Sequence, residues 1–252
     1  MSRLLSANLR RLKINIPFYI YSFLILAISI LFTSKLYILM FGEYLPVESA
    51  IMIASALPAG FNALFIGFFL GREYSDKTIR NKIVVGFTKS EIYGASLITT
   101  SLVTTLWVIL WFVGCISGAA IAGAEYSMES LIVKAFVVLF FNLAFSSGLT
   151  AVSMMVHSRV LCIVLHTQVP PYLITFVLIN GSLIGTEGAF PPVIKEIMTF
   201  IVNLTPMGQW FFTSVDYGEV LYPNPVLMLL SVGVIVLFTA VGIRYFKEKE
   251  IK

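Results

Sequence analysis

Residues Gly71–Tyr93 read GREYSDKTIRNKIVVGFTKSEIY. They form a charged island between two long apolar runs. The island holds five of the seventeen basic residues, Arg72, Lys77, Arg80, Lys82 and Lys89, together with Glu73, Asp76 and Glu91. A loop that only joins two membrane spans needs few polar residues. This pattern predicts instead a short ordered helix on a membrane surface, the shape of a docking surface for another protein. Ser75 or Asp76 is expected to cap its start, because either side-chain oxygen accepts from the free N–H groups of a first turn. Gly86 is expected to end it, since glycine tolerates the left-handed conformation of a helix terminus. About ten residues lie between, roughly 15 Å of helix. Ile79 and Ile83 share one face, with Val84 beside them. Thr88–Glu91 then reads as a capping box opening the next helix. The expected order is span, corner, short surface helix within 72–90, corner, span.

Outward from the island the chain is apolar. Of its 252 residues 58% are hydrophobic and 12% charged, with a mean hydropathy of +0.93. A soluble domain carries about 25% charged residues, so the bilayer is the expected solvent. Five uncharged runs reach the roughly 20 residues a spanning helix needs, and a sixth, shorter run is equally clear. The expected spans are 17–40, 48–70, 91–121, 130–156, 160–184 and 225–246. In lipid their backbone polar groups need internal partners, so they are helices. The expected fold is a single all-α polytopic membrane domain over 1–252. The first apolar run is too long for a signal-peptide core and lacks a small-residue cleavage site.

The net charge of +4 does not point to nucleic acid once positions are considered. Fourteen of the seventeen Lys and Arg residues sit at the N-terminus (Arg3, Arg10, Arg11, Lys13), in the island, at Arg159, or at the C-terminus (Arg244, Lys247, Lys249, Lys252). The other loops carry mostly acids: Glu43, Glu48, Glu125, Glu129, Glu187, Glu196, Asp216 and Glu219. By the positive-inside rule both termini, the island and the Arg159 turn are cytoplasmic, which requires an even number of spans.

Residues 2–15 predict an amphipathic interfacial helix with Leu5, Leu9, Leu12 and Ile16 on one face and Arg3 and Arg10 pointing away. A ragged tail is the alternative. Lys35 is expected to snorkel at the outer end of the first span. Pro58 and Gly60 are expected to kink the second, where Asn62 should face another helix. Gly114, Ser117, Gly118 and Gly123 mark close helix approach in the third. The short turn His157–Ser158–Arg159 predicts a tight antiparallel hairpin of the fourth and fifth spans, and Pro170–Pro171 should bend the fifth. The apolar stretch Ile197–Val215 is broken by Pro206 and Gly208, and a seventh span would place Lys247 and Lys249 outside. Two short helices dipping into the outer leaflet within 186–224 fit better.

Sites of chemistry are hard to find. There is no phosphate-binding Gly-rich loop and no H-E-x-x-H. Ser and His residues are not disposed for nucleophilic catalysis. Cys115 and Cys162 lack metal spacing and read as buried thiols. His166 reads as a packing or hydrogen-bonding residue. No carboxylate lies at mid-membrane, where ion-coupled transporters place them. Lys134 reads as a snorkelling residue paired with Glu129. No enzyme site and no resident cofactor are expected, so any work done is driven by a partner.

The island resembles the corresponding segment of type-2 ABC exporter permeases, the ABC-2 family. There the second span ends in an acid, followed by a D-x-T-[IL]-R-N-K-like run, a Gly, and a Ser/Thr-Lys/Arg-x-x-[IL]-Y-like start to the third span. The matching residues are Glu73, Tyr74, Asp76, Thr78, Ile79, Arg80, Asn81, Lys82, Gly86, Thr88, Lys89, Ser90, Ile92 and Tyr93. The usual Gly before Thr78 is Lys77, a departure at a surface position. Asn203–Gln209, NLTPMGQ, is similar to the segment before the sixth span of these permeases. The resemblance implies a coupling helix seated in a cleft of a separate ATPase subunit, with Glu73, Arg80 and Lys82 hydrogen-bonding to it and Ile79 and Ile83 as its apolar contact. Tyr74, Asp76, Thr78, Asn81 and Gly86 complete that surface, stiffened by the Thr88–Glu91 cap. It further implies two permease chains, identical or paralogous, and two ATPase chains that hold ATP and Mg. The export path would run between the permeases along the first, second and fifth spans, with Asn62, Asn142 and Gln168 as polar lining. The location would be a bacterial plasma membrane, and an amphipathic peptide, lipid or drug-like molecule would suit so apolar a path. A stand-alone carrier or structural membrane subunit, working without ATP, is the competing expectation.

Overall fold

The computed structural model describes residues 1–34, 47–156, 158–186, 188–214 and 222–249. Among them are eleven helices and no strand. They are α1 (Ser2–Lys13), α2 (Ile16–Thr33), α3 (Val47–Ala54), α4 (Ala56–Ser75), α5 (Thr78–Val84), α6 (Lys89–Ala122), α7 (Met128–Met155), α8 (Arg159–Gly185), α9 (Pro192–Leu204), α10 (Pro206–Ser214) and α11 (Asn224–Glu248). Six stretches are long and apolar enough to cross a membrane, with α3 and α4 together making the second. The chain is a multi-pass membrane protein on that measure. Lys35, Glu43, His157, Glu187, Asp216, Glu219 and Lys252 lie outside the described residues, as does the outer part of the expected first span.

Local chemistry sets the helix starts. Asn15 accepts from Phe18 N at 3.2 Å, with Pro17 in the first turn of α2. Ser127 and Ser158 do the same for α7 and α8, each satisfying a backbone donor that the helix leaves open. The second span breaks at Ser55, whose hydroxyl donates to Met52 O at 2.6 Å. The cause is Pro58. It has no N–H for the carbonyl of Ala54, and its ring crowds that carbonyl. The expected kink is therefore present and lies on the N-terminal side of the proline. The fifth span runs unbroken through Pro170 and Pro171.

α6 is the mast of the bundle. At Gly114 an added Cβ would stand 2.8 Å from Ser29 Cβ and 2.9 Å from Leu26 O, and Gly118 meets Ile30 and Thr33 even more closely. Thr33 donates to Cys115 O at 2.9 Å. Small residues thus let α2 and α6 approach backbone to backbone at Gly114 and Gly118, whereas Ser117 bonds back to Val113 O and Gly123 caps the helix with nothing within 4 Å of an added Cβ. Trp107, fully buried, donates to Ser22 Oγ at 2.8 Å across the same seam. On the other side α7 packs on α6 and, most extensively, on α11.

The expected hairpin of fourth and fifth spans is not formed. α8 packs chiefly on α4 and touches α7 little. The close approach is at Gly67 of α4, where a Cβ would stand 3.0 Å from His166 Cβ and 3.1 Å from its ring Cγ. The same imidazole reaches α7, with Nε2 3.0 Å from both Ser153 Oγ and Leu149 O. A glycine on the second span admits the fifth, and a short turn alone does not impose pairing. The stretch before the last span holds two short helices, α9 and α10. Thr205 turns the chain between them, with its hydroxyl accepting from Gly208 N at 3.0 Å. Gln209 ties this corner to α11, accepting from Ser231 at 2.6 Å and donating to Asn203 O at 3.0 Å.

Candidate functional site

The charged island folds as a corner, a short helix and a second corner, but the first corner differs from expectation. α4 continues through Arg72 to Ser75, so neither Ser75 nor Asp76 caps the short helix. Ser75 turns back to Arg72 O and Asp76 instead. The corner is one residue, Lys77, held left-handed at φ 54° and ψ 20°. α5 then runs for seven residues rather than ten, with no side-chain cap. The cause is the last turn of α4, where Glu73 and Tyr74 are both pinned inward and keep the span helical. L-residues pay for positive φ and glycine does not, so the lysine at this corner holds a strained backbone as well as a surface position.

The second corner matches expectation. Gly86 sits at φ 100°. Its N–H reaches Ile83 O at 2.9 Å and Phe87 N–H reaches Lys82 O at 3.1 Å, the paired bonds of a Schellman ending. Thr88 and Glu91 form the complete capping box: Glu91 Oε2 accepts from Thr88 N at 2.9 Å, and Thr88 Oγ1 accepts from Glu91 N at 3.3 Å.

Glu73 faces inward. It is 0% exposed, and its Oε1 accepts from Arg11 at 2.7 Å and from Lys82 at 2.9 Å, with Lys82 also 3.0 Å from Oε2. Arg11 further donates to Phe69 O and lies 3.8 Å over the Phe69 ring. Lys82 also donates to Asn8 Oδ1 at 3.2 Å, and Asn8 donates to Thr99 at 3.4 Å. A carboxylate taken out of water needs such pairing. The knot binds α1, α4, α5 and α6 at one end of the bundle. Glu73 and Lys82 are thus spent inside the chain, and Ile79, 1% exposed, is core. None of the three is placed to meet a partner as expected from the sequence. Tyr74 also turns inward, donating to Met154 O at 2.7 Å.

What α5 offers outward is narrower. Arg72, Asp76, Lys77, Arg80, Asn81, Val84, Val85 and Gly86 are exposed, while Thr78 and Ile83 are half-buried. Val84 is 78% and Val85 76% exposed, an apolar pair at the tip of a cationic strip.

Three contributors escape a reading of the island alone. In α1 the inward face is Leu4, Asn8 and Arg11. The expected Leu5, Leu9 and Leu12 are only half-buried, and Ile16 is exposed and belongs to α2. The spacing Leu4–Asn8–Arg11 is as helical as the leucine series, but two of its members are polar and so carry no hydrophobic signal. The third contributor is Lys249. Its amine donates to Tyr74 OH and Met154 O at 2.9 Å and to Val156 O at 3.0 Å, and lies 4.1 Å over the Tyr74 ring. Lys89 in turn donates to the carbonyls of Lys247 and Lys249. The start of α1, the island, the end of α7 and the end of α11 therefore lie at one end of the bundle. Burial pushes the Lys249 amine down to about 8, and nearby Lys89 adds to the push.

The polar residues expected along a path do not converge. Asn62 is buried and accepts from Thr104 at 3.2 Å, facing another helix as predicted. Asn142 is buried and donates to Val138 O at 2.9 Å. Gln168 is exposed: two residues on from the inward His166, it falls on the opposite side of α8. Lys134 pairs with Glu48 at 3.1 Å rather than with Glu129. Glu48 also accepts from Ser127 N at 3.1 Å, fastening α3 to the start of α7.

Cys115 and Cys162 are free and buried. Cys162, Ser153 and His166 lie together but none is exposed, and His166 spends Nδ1 on Cys162 O at 2.7 Å. One bond stays within α8 and those of Nε2 cross to α7, and no accessible nucleophile results. Among the described residues no group of three His, Cys, Asp or Glu is disposed to hold a metal. A scan against protein-family models finds no match to this chain, and a search of curated proteins finds none either.

Proposed function

We propose that this chain is the membrane-spanning permease subunit of an ATP-driven exporter, moved by a separate ATPase subunit that docks on α5. One observation carries the reading. α5 is fixed on its inner side by the Glu73 knot and ended by a Schellman turn, while its outer side presents Arg80, Asn81, Val84 and Val85. A helix clamped inside and bare outside transmits a push to the spans that hold it. Exposed valines beside cations suit a cleft with an apolar floor and acidic walls. ATP and Mg belong to the partner. By the positive-inside rule this end is cytoplasmic. The functional unit is two permease chains with two ATPase chains, and the cargo is an amphipathic peptide, lipid or drug-like molecule.

The test uses the full chain, affinity-tagged, solubilised in detergent and isolated with what it binds. A photo-crosslinking residue at the exposed Asn81 should capture a polypeptide carrying a phosphate-binding Gly-rich loop, and the isolate should hydrolyse ATP. Val84→Asp with Val85→Asp should abolish both while membrane insertion stays normal. ATP hydrolysis and capture that survive the double change would sink the reading.

A further inference from the structure

A cleft of about 360 Å³ opens between α2 and the broken second span. Its walls are Ile28 and Phe32 of α2, Ile53 of α3, and Leu57, Phe61 and Leu64 of α4. Two features make it. The break at Ser55, forced by Pro58, turns α4 away from the line of α3. Gly60 then leaves the cleft wall without a side chain: a Cβ built there meets nothing within 4 Å, and Gly60 is exposed. The cleft lies wholly within stretches long and apolar enough to cross a membrane.

We infer that this cleft holds one acyl chain of a bilayer phospholipid. Its volume falls within the roughly 300–1,000 Å³ of small-molecule sites. Such sites fix orientation through a few placed polar groups, and every residue lining this one is apolar. Nothing in it recognises a headgroup or an amphiphile's polar end, so what it selects is hydrocarbon. The medium around these helices supplies hydrocarbon in excess. A helix from a second copy, about 10 Å across with its side chains, is too wide for a recess between two helices of one chain. A single flexible chain restores the contacts that the bare Gly60 wall lacks. The cleft lies between the first and second spans, along which the exporter reading would run its path, but the inference needs neither ATP nor a partner subunit.

The full chain is reconstituted in vesicles of phosphatidylcholine carrying a diazirine on one acyl chain, irradiated, and mapped by mass spectrometry. Labelling should be several-fold higher at Ile28, Leu57 and Phe61 than at Phe23 of α2 and Leu237 of α11, which are 69% and 59% exposed. Gly60→Leu should remove most of the cleft labelling and leave Phe23 and Leu237 unchanged. Gly60→Ala, which the open space admits without a clash, should lower it by a smaller step and guards against a folding defect in the larger variant. Cleft labelling no higher than at Phe23 and Leu237, or unchanged in both variants, overturns the inference. So does efficient disulfide or short-linker cross-linking between two copies bearing Gly60→Cys, which would mark the cleft as a contact between chains. The native thiols are buried and do not confuse that readout.

Discussion

The two ends of the bundle carry the same pairing, a glutamate with a lysine, in different surroundings. Glu73 is fully buried and shared between Lys82 and Arg11. Glu48 and Lys134 remain 27% and 32% exposed. An exposed pair is screened by water and contributes about 0–1 kcal/mol. A buried carboxylate holding two cations is different. The pair itself adds little net stability, yet removing one member leaves charge with no counter-ion and costs about 3–5 kcal/mol. The difference teaches that the Glu73 knot specifies an arrangement, fixing α1, α4 and α5 in one mutual geometry, whereas the Glu48 pair only tightens an end.

The largest break in this comparison is expected from Glu73→Ala. It should destabilise the detergent-solubilised protein by about 3–5 kcal/mol, read by chemical denaturation, and should loosen α1 and α5 together in hydrogen exchange. Loss of exchange protection in α5 alone would show that the knot does not join the two. A change at Thr88 sharpens the contrast, because it weakens α6 without touching the buried charges. Thr88→Ala should cost about 1 kcal/mol, with raised exchange confined to the first turn of α6. The pH profile separates the knot from its neighbour Lys249. The folded protein holds that amine at about 8, below the lysine value of 10.5. The unfolded chain therefore binds the extra proton between these values, and stability rises with pH across that window. The contribution is full above 10.5 and is lost as pH falls through 8. Lys249→Met should flatten this slope, and an unchanged slope would assign it to another group. The smallest effect is expected at the far end. Glu48→Gln should cost about 0–1 kcal/mol, and a loss as large as that of Glu73→Ala would erase the distinction between the ends.

Much of this was legible in the sequence. Hydropathy gave the spans, because each must bury its backbone polar groups within itself. Gly86, Thr88 and Glu91 were readable because a helix end is decided by residues within a few positions of it. Gly114 and Gly118 revealed close packing, though not which helix approaches. The inward turn of Glu73, Lys82 and Ile79 was not legible. A charged residue in a charged island looks solvated, and one of the two cations that hold Glu73 is 62 positions away at Arg11. Gln168 failed likewise: polarity at membrane depth says that a residue needs a reason, not which way it faces. Sequence proximity pairs Lys134 with Glu129, while the fold brings Glu48 from another helix.

Lys77 carries one more consequence. Every other described residue at positive φ is a glycine. Between Asp76 and Thr78 the main chain is bent against its own preference, and the neighbouring ion cluster keeps it so. Weaken that grip and this peptide unit gains most by relaxing. The first sign of release is then a faster-exchanging amide at the bend, before either flanking helix unwinds.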